Sequence, residues 1–198
     1  STPLSGARTI LGSSSAPTWW APRASYDQMR YLHTFLDDAT GWQEAYPTAD
    51  KFATSTARNW KVWQAGRTPD KECRSDNGGE FEKEFHDALI QNGTAHTFST
   101  PNDPASNSRI ERSHDDLNNG IRCALLQSGL PYCLWPHAAS VYLFNKNRSW
   151  GISRLAGKTA YEARHGEPYV KEPIPFGCEV VYHDHELASK DKFEPRGS

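Results

Sequence analysis

The sequence predicts an α/β domain built on a mixed sheet. Short alternating or β-branched runs near residues 29–47, 71–75 and 94–98 are bounded by turn residues, and stretches with apolar residues at helical spacing lie between and after them. At 198 residues the chain is long enough to bury one sizeable core. The residues alone reach α/β with a mixed sheet and no finer class.

Residues 1–25 are rich in Ser, Pro, Ala and Thr, with Trp19-Trp20 as the large apolar pair. They are expected to form a loosely ordered arm containing one short strand around Ala7 to Leu11. Met29 to Leu36, then Asp37-Asp38-Ala39-Thr40-Gly41, then W-Q-E-A-Y-P read as strand, turn and strand, a β-hairpin. Asp37 and Asp38 are turn formers there. Lys51 to Gly66 reads as a helix that groups Phe52, Trp60 and Trp63 on overlapping faces, with Gly66 as its C-terminal cap.

Lys71 to Ser75 is a short strand that ends at Asp76, where Asn77-Gly78-Gly79 breaks it. Glu80 to Gln91 places Phe81, Phe85, Ala88 and Leu89 on one helical stripe, stopped by Asn92-Gly93. Thr94 to Phe98 is a brief strand, and Thr100-Pro101 opens a loop. The next helix is expected to start near Ser106 or Asn107 and to run to Ser128 before Gly129, with Ile110, Leu117, Ile121, Ala124 and Leu125 as its stripe. A further helix from Tyr132 to about Arg148 buries Trp135, Ala139, Tyr142 and Leu143, and T-A-Y-E-A-R-H-G gives one more short helix. Phe176 to Tyr182 reads as a strand.

Composition narrows the classes. High aromatic content, with seven Trp, belongs to a globular chain and not a disordered one. No run approaches the ~18 to 20 apolar residues of a membrane span, and the N-terminus has no signal pattern, so a soluble intracellular protein is expected. The four cysteines are widely spaced with no C-x-x-C pair, which indicates neither a zinc knuckle nor a disulfide framework. His183 and His185 alternate on a predicted strand, but no third and fourth ligand stands near them. A net charge of -2 argues against nonspecific coating of nucleic acid. Residues 142–165 nevertheless gather Lys146, Arg148, Arg154, Lys158 and Arg164 against Glu162, either as phosphate contacts or as a solvated helix end.

Chemistry concentrates between Lys71 and Arg112. Asp76 at the end of a strand and Glu111 in the first turns of a helix are acids on rigid elements, the placement that divalent-metal phosphoryl chemistry needs. Read singly, Asp76 also suits an Asx turn before Asn77-Gly78, and Glu111 a carboxylate favoured by the helix dipole. Asn107, Arg109 and Arg112 flank Glu111, either to reach DNA phosphate or to tether the acid by charge.

S-D-N-G-G-E-F followed by P-x-x-x-x-N-x-x-x-E-R resembles the integrase catalytic core of copia-type (Ty1/copia) retrotransposon Pol polyproteins, within the retroviral integrase superfamily. The similarity continues through G-L-P-Y-C-L-W-P-H-A-A, N-K-N-R, T-A-Y-E and I-P-F-G-C, in that family's order, and covers roughly residues 30–183. The resemblance implies a ribonuclease-H-like fold, a mixed central β-sheet with helices on both faces. Composition and pattern then divide the chain into a loosely ordered N-terminal arm at 1–25, an integrase core-like domain at 26–166, and the start of a truncated C-terminal β module at 167–198.

By the same resemblance, Asp76 and Glu111 are catalytic and metal-binding acids for Mg2+ or Mn2+. From charge and position, Asn107, Arg109, Arg112, Lys146 and Arg148 are the candidate DNA-binding residues, and no organic cofactor is expected. The implied activity is DNA integration by polynucleotidyl transfer. Its implied partners are DNA element ends and the target duplex, with a homo-oligomer, no membrane, and a nuclear setting.

The family's first acid would fall near Arg8 to Ser15, where this chain has neither Asp nor Glu. Ser108 stands where the family has Gly, and the Asp76 to Glu111 spacing is one short. An impaired integrase core is therefore expected. The competing readings are a non-catalytic nucleic-acid-binding or assembly module and a ribonuclease H-type nuclease.

Overall fold

The computed structural model describes residues 8–15, 24–76, 78–81, 83–99 and 104–180. Five strands form one sheet: β1 (Arg8–Ser15), β2 (Tyr31–Asp37), β3 (Gln43–Thr48), β4 (Glu72–Ser75) and β5 (Ala95–Phe98). Their order is β3-β2-β1-β4-β5, antiparallel from β3 to β1 and parallel from β1 to β5. The expected mixed sheet is present.

The strand anticipated around Ala7 to Leu11 is eight residues long and central, paired with β2 on one side and β4 on the other. Residues 8–15 thus belong to the sheet and not to an arm beside it. A Ser-rich segment extends this way because ladder bonds on both sides satisfy its backbone, whatever its intrinsic propensity.

Alternation sends successive side chains to opposite faces. Leu11, Phe35 and Cys73 enter one core with Trp60, Trp63, Phe81, Phe85 and Leu89. Ile10 and Leu36 meet Ile110 on the other face, where Leu32 joins Leu117, Ile121, Leu125, Trp135 and Leu143. Helices α1 (Ala53–Gln64) and α2 (Glu84–Gln91) therefore cover the first face. Helices α3 (Pro104–Ser128) and α4 (Trp135–Ser149) cover the second, and short α5 (Ala160–His165) packs beside α4.

Local chemistry explains the boundaries. Phe52 is extended and 68% exposed just before α1, so it does not share the stripe of Trp60 and Trp63 as the spacing suggested. The helix expected from Glu80 to Gln91 is split, with a single 3-10 turn at Gly79–Phe81 preceding α2. Phe81, Phe85, Ala88 and Leu89 are nevertheless all buried. Helix α3 begins at Pro104, ahead of Ser106 and Asn107, because a proline in the first helical position forfeits no hydrogen bond. Helix α5 is capped at its start by Thr159, whose hydroxyl accepts from the Glu162 N–H at 3.0 Å, and at its end by Gly166 with φ 82°.

The strand expected from Phe176 to Tyr182 is not found over residues 176–180, where Gly177 at φ 76° makes a turn. Phe176 instead packs on the α3–α4 core. Residues 181–182, His183 and His185 lie outside the described residues, as do Trp19 and Trp20.

Candidate carboxylate site

Asp76 follows β4 directly and is half-buried. The Gly78 N–H donates to its Oδ1 at 2.9 Å, the Asx turn that its sequence context allowed. A side-chain carbon at Gly78 would lie 3.0 Å from Asp76 Oδ1 and 2.7 Å from Glu80 Oε2. The two carboxylates therefore lie close together beside Gly78, and a side chain there would require the Glu80 carboxylate to shift. Glu80, which the sequence reading passed over, is 12% exposed and ion-paired with Lys51 at 3.5 Å.

Glu111 lies one residue beyond Ile110, which is buried against Ile10 and Leu36 on the α3 face of the sheet. Alternation puts Arg74 and Asp76 on the side of β4 that matches Ile10 of β1, because Ile10 pairs with Arg74. Asp76 itself lies one residue past the end of β4, while Ile10 on that face of β1 is covered by Ile110 of α3. Glu111 itself is exposed, about 100° around the helix from Ile110.

Continuing the β1–β4 register two residues past Ile10 and Arg74 sets Gly12 opposite Asp76. Strand β1 offers no carboxylate there. A Cβ at Gly12 would lie 2.6 Å from His114 Cε1, 2.8 Å from Ile110 Cγ1 and 3.0 Å from His114 Nε2. The His114 Nε2 has no hydrogen-bond partner among the described residues, and burial lowers its pKa to about 4.

A polar chain runs from α2 to the end of β4. The Ser75 hydroxyl donates to the Asp76 carbonyl at 2.9 Å, so its oxygen accepts from His96 Nε2, also 2.9 Å away. His96 Nδ1 then accepts from His86 Nδ1 at 3.1 Å. Burial, then the neighbouring His86, pushes the His96 pKa down to about 4, which keeps the ring neutral at neutral pH.

Most of the cations nominated for DNA are engaged within the fold. Arg109 pairs with Asp38 of the hairpin turn, which also binds Arg8 at 3.0 Å. Lys146 holds Asp116 at 2.5 Å and Gln43 Oε1 at 2.8 Å. Arg148 lies 3.6 Å over the Phe144 ring and within 5.4 Å of Trp42, Tyr161 and Tyr169. Arg112 is exposed and donates to the Ser108 carbonyl at 2.9 Å. Asn107 is in α3, and its side chain lies outside the described residues. Asp37 closes its turn by accepting from the Ala39 N–H at 2.9 Å and the Thr40 hydroxyl at 2.6 Å.

The Asp38 cluster ties β1, the hairpin and α3 together. Asp38→Asn is expected to cost about 1 kcal/mol, because the partners are part-exposed, and to cost less at high salt. Thermal melts at ~0.05 M and ~0.5 M NaCl would check both statements.

A divalent-metal centre needs three or more suitable ligands about one point. Among the described residues no group of three His, Cys, Asp or Glu side chains could hold a metal ion. The described residues, as placed, do not by themselves assemble a two-metal centre.

Comparison with known proteins agrees with this architecture. The family model described as integrase core domain matches residues 18–104. The chain is 30% identical over 183 residues to the retrovirus-related Pol polyprotein from transposon RE2 of Arabidopsis thaliana, which covers 88% of this chain and 12% of that polyprotein. It is 26% identical over 205 residues to the transposon Ty1-DR6 Gag-Pol polyprotein of Saccharomyces cerevisiae, covering 87% of this chain and 11% of the relative. The chain thus spans about an eighth of the length of the curated relatives it matches.

Among solved structures, the HTLV-2 integrase catalytic core domain, in complex with magnesium, superposes with a TM-score of 0.63 at 17% identity. That match covers 82% of this chain and 98% of the other. The simian T-cell lymphotropic virus intasome in complex with PP2A regulatory subunit B56 gamma gives a TM-score of 0.68 at 19% identity, covering 98% of this chain and 66% of the matched one. The fold is that of retroviral integrase cores, ribonuclease-H-like. No helix among the described residues is long and apolar enough to cross a membrane.

Proposed function

Given that the chain belongs to the integrase core domain family of copia-type retrotransposons, we propose that it is an integrase catalytic-core segment whose strand-transfer activity is impaired. Its substrates would be element DNA ends and a target duplex, and it would assemble with further copies of itself in the nucleus. One observation carries the impaired reading: the strand beside Asp76 presents Gly12, and no acid occurs from Arg8 to Ser15. Two-metal centres rely on anionic ligands to offset the repulsion between cations, so the loss of one carboxylate should greatly weaken metal occupancy. Mg2+ or Mn2+ remains the cofactor implied by descent, to be held by Asp76 and Glu111 in a complete site.

The test is strand transfer on a short duplex with Mg2+ or Mn2+. Product at background level is expected, and robust turnover by the unmodified chain would refute the reading. Filter binding across about 50–200 mM salt separates a DNA-binding module from an inert relic. Exposed Arg112 is expected to contribute to binding, so Arg112→Ala should weaken affinity and reduce the salt slope by about one. Lys146→Ala should lower the melting temperature with the slope unchanged, because Lys146 is spent on Asp116 and Gln43. If Lys146→Ala changed the slope and Arg112→Ala did not, the assignment of the two cations would be reversed.

A further inference from the structure

We propose that position 12 is the third corner of the carboxylate site, and that Gly12 together with the His114 ring packed over it closes that corner to a divalent cation. The inference rests on the integrase reading of Asp76 and Glu111 and adds the two residues that decide its metal occupancy.

Three independent observations meet at this point. The parallel pairing of β1 and β4 ends at Ile10 and Arg74, and continued two residues further it would set Gly12 opposite Asp76. Alternation directs position 12 to the sheet face covered by α3, as Ile10 and Ile110 demonstrate by their mutual burial. The volume into which a side chain at 12 would project is filled by His114 and Ile110, at 2.6–3.0 Å from the Cβ position. Glu111 is three residues before His114, about 60° from it around α3. The filled space is thus one helical turn along α3 from Glu111.

The imidazole is not at ease there, since its Nε2 faces the strand without a hydrogen-bond partner among the described residues. Histidine fits only because residue 12 lacks a Cβ. A carboxylate at 12 would meet the ring directly. Restoring the acid by Gly12→Asp alone thus forces either His114 or β1 to move, and the ligand would not reach its place. Clearing the ring first makes room for it.

The packing half is tested by thermal melts of the native chain, Gly12→Ala, His114→Ala and the double variant. Gly12→Ala should lower the melting temperature by about 4 °C or more, as overpacking does in a domain of this size, and by less than half as much when His114 is alanine. Equal losses in the two backgrounds would overturn the proposal.

The site half is read by Mn2+ titration in the absence of DNA. G12D/H114A should bind at least tenfold more tightly than the native chain or G12D, and adding Asp76→Asn should abolish the gain. Binding by G12D/H114A no tighter than native also overturns it. The melts involve neither metal nor DNA, so they stand or fall apart from the integrase reading. A failed Mn2+ gain with salt-sensitive DNA binding retained removes the corner assignment and leaves that reading in place.

Discussion

Trp63→Ala is expected to destabilise the protein by about 3–5 kcal/mol, a large part of the stability of a domain this size. Trp63 is 1% exposed. Its ring stacks on Phe35 with centroids 5.5 Å apart and planes at 19°, and the Arg67 guanidinium lies 3.5 Å from the ring centre. The indole N–H reaches Thr9 Oγ1 and Asp70 Oδ2, each at 3.2 Å. The same Asp70 oxygen accepts from the Thr9 hydroxyl and from Gln64 Nε2, each at 2.5 Å. Truncation therefore opens a cavity beneath the sheet and also loosens the polar clasp that joins central β1 to α1 and the approach to β4. Trp63→Phe keeps most of the apolar area and should cost less, since Asp70 retains two donors. Urea unfolding of both variants measures the loss as a shift in midpoint. A change below about 1 kcal/mol for Trp63→Ala would show that this packing does not hold the sheet.

Stability should also fall steeply as pH drops from about 6.5 to about 4. His33 is fully buried on β2, and burial lowers its pKa from 6.5 to about 4, against smaller raising effects of Glu80 and Asp50 and further lowering by Lys51 and Arg58. Its Nδ1 lies 3.0 Å from Asn59 Nδ2, an amide donor, so the ring is neutral and accepts there. In the folded state the ring resists protonation, while in the unfolded chain it protonates near its ordinary value. Between those two values the unfolded state binds more protons, so stability is complete above about pH 6.5 and is lost as pH falls toward 4. His33 alone accounts for on the order of 3 kcal/mol across that window. His96 and His114, also lowered to about 4, act in the same direction, less strongly for being partly exposed. Urea midpoints measured at half-unit pH steps should decline across this range, and His33→Gln should flatten the decline. A flat profile in the native chain would mean that these rings are not held neutral by the fold.

Much of the architecture was legible in the chain because it rests on local pattern. The Phe81, Phe85, Ala88 and Leu89 stripe, the paired tryptophans of α1 and the long stripe from Ile110 to Leu125 each announce a buried face through their spacing alone. The hairpin was equally visible, since its turn chemistry lies within a few residues. The central strand showed only as a short run around Ala7 to Leu11, and neither its full length nor its central place was legible. T-I-L-G-S-S-S carries little alternation, and its extended state comes from two neighbours, β2 and β4, the second more than 60 residues away.

The candidate site divides in the same way. Asp76 and Glu111 stand out because motifs at element ends are local signals, and the Asx turn at Gly78 was implicit in Asp76-Asn77-Gly78. The fate of the cations was hidden. Arg109 beside Asp38, Lys146 beside Asp116 and Arg148 among aromatic rings are charges that a count along the chain reads as free for phosphate.

Sequence by itself determined the layered α/β plan, the family, and the want of an acid on the first strand, because spacing and residue type are written along one dimension. Only tertiary structure decided that this strand is central, that it runs parallel beside β4 in the register that points Gly12 toward the level of Asp76, and that His114 fills the space over Gly12. Strand register and helix docking set which side chains meet across a hundred residues, and no periodicity in the chain encodes that distance.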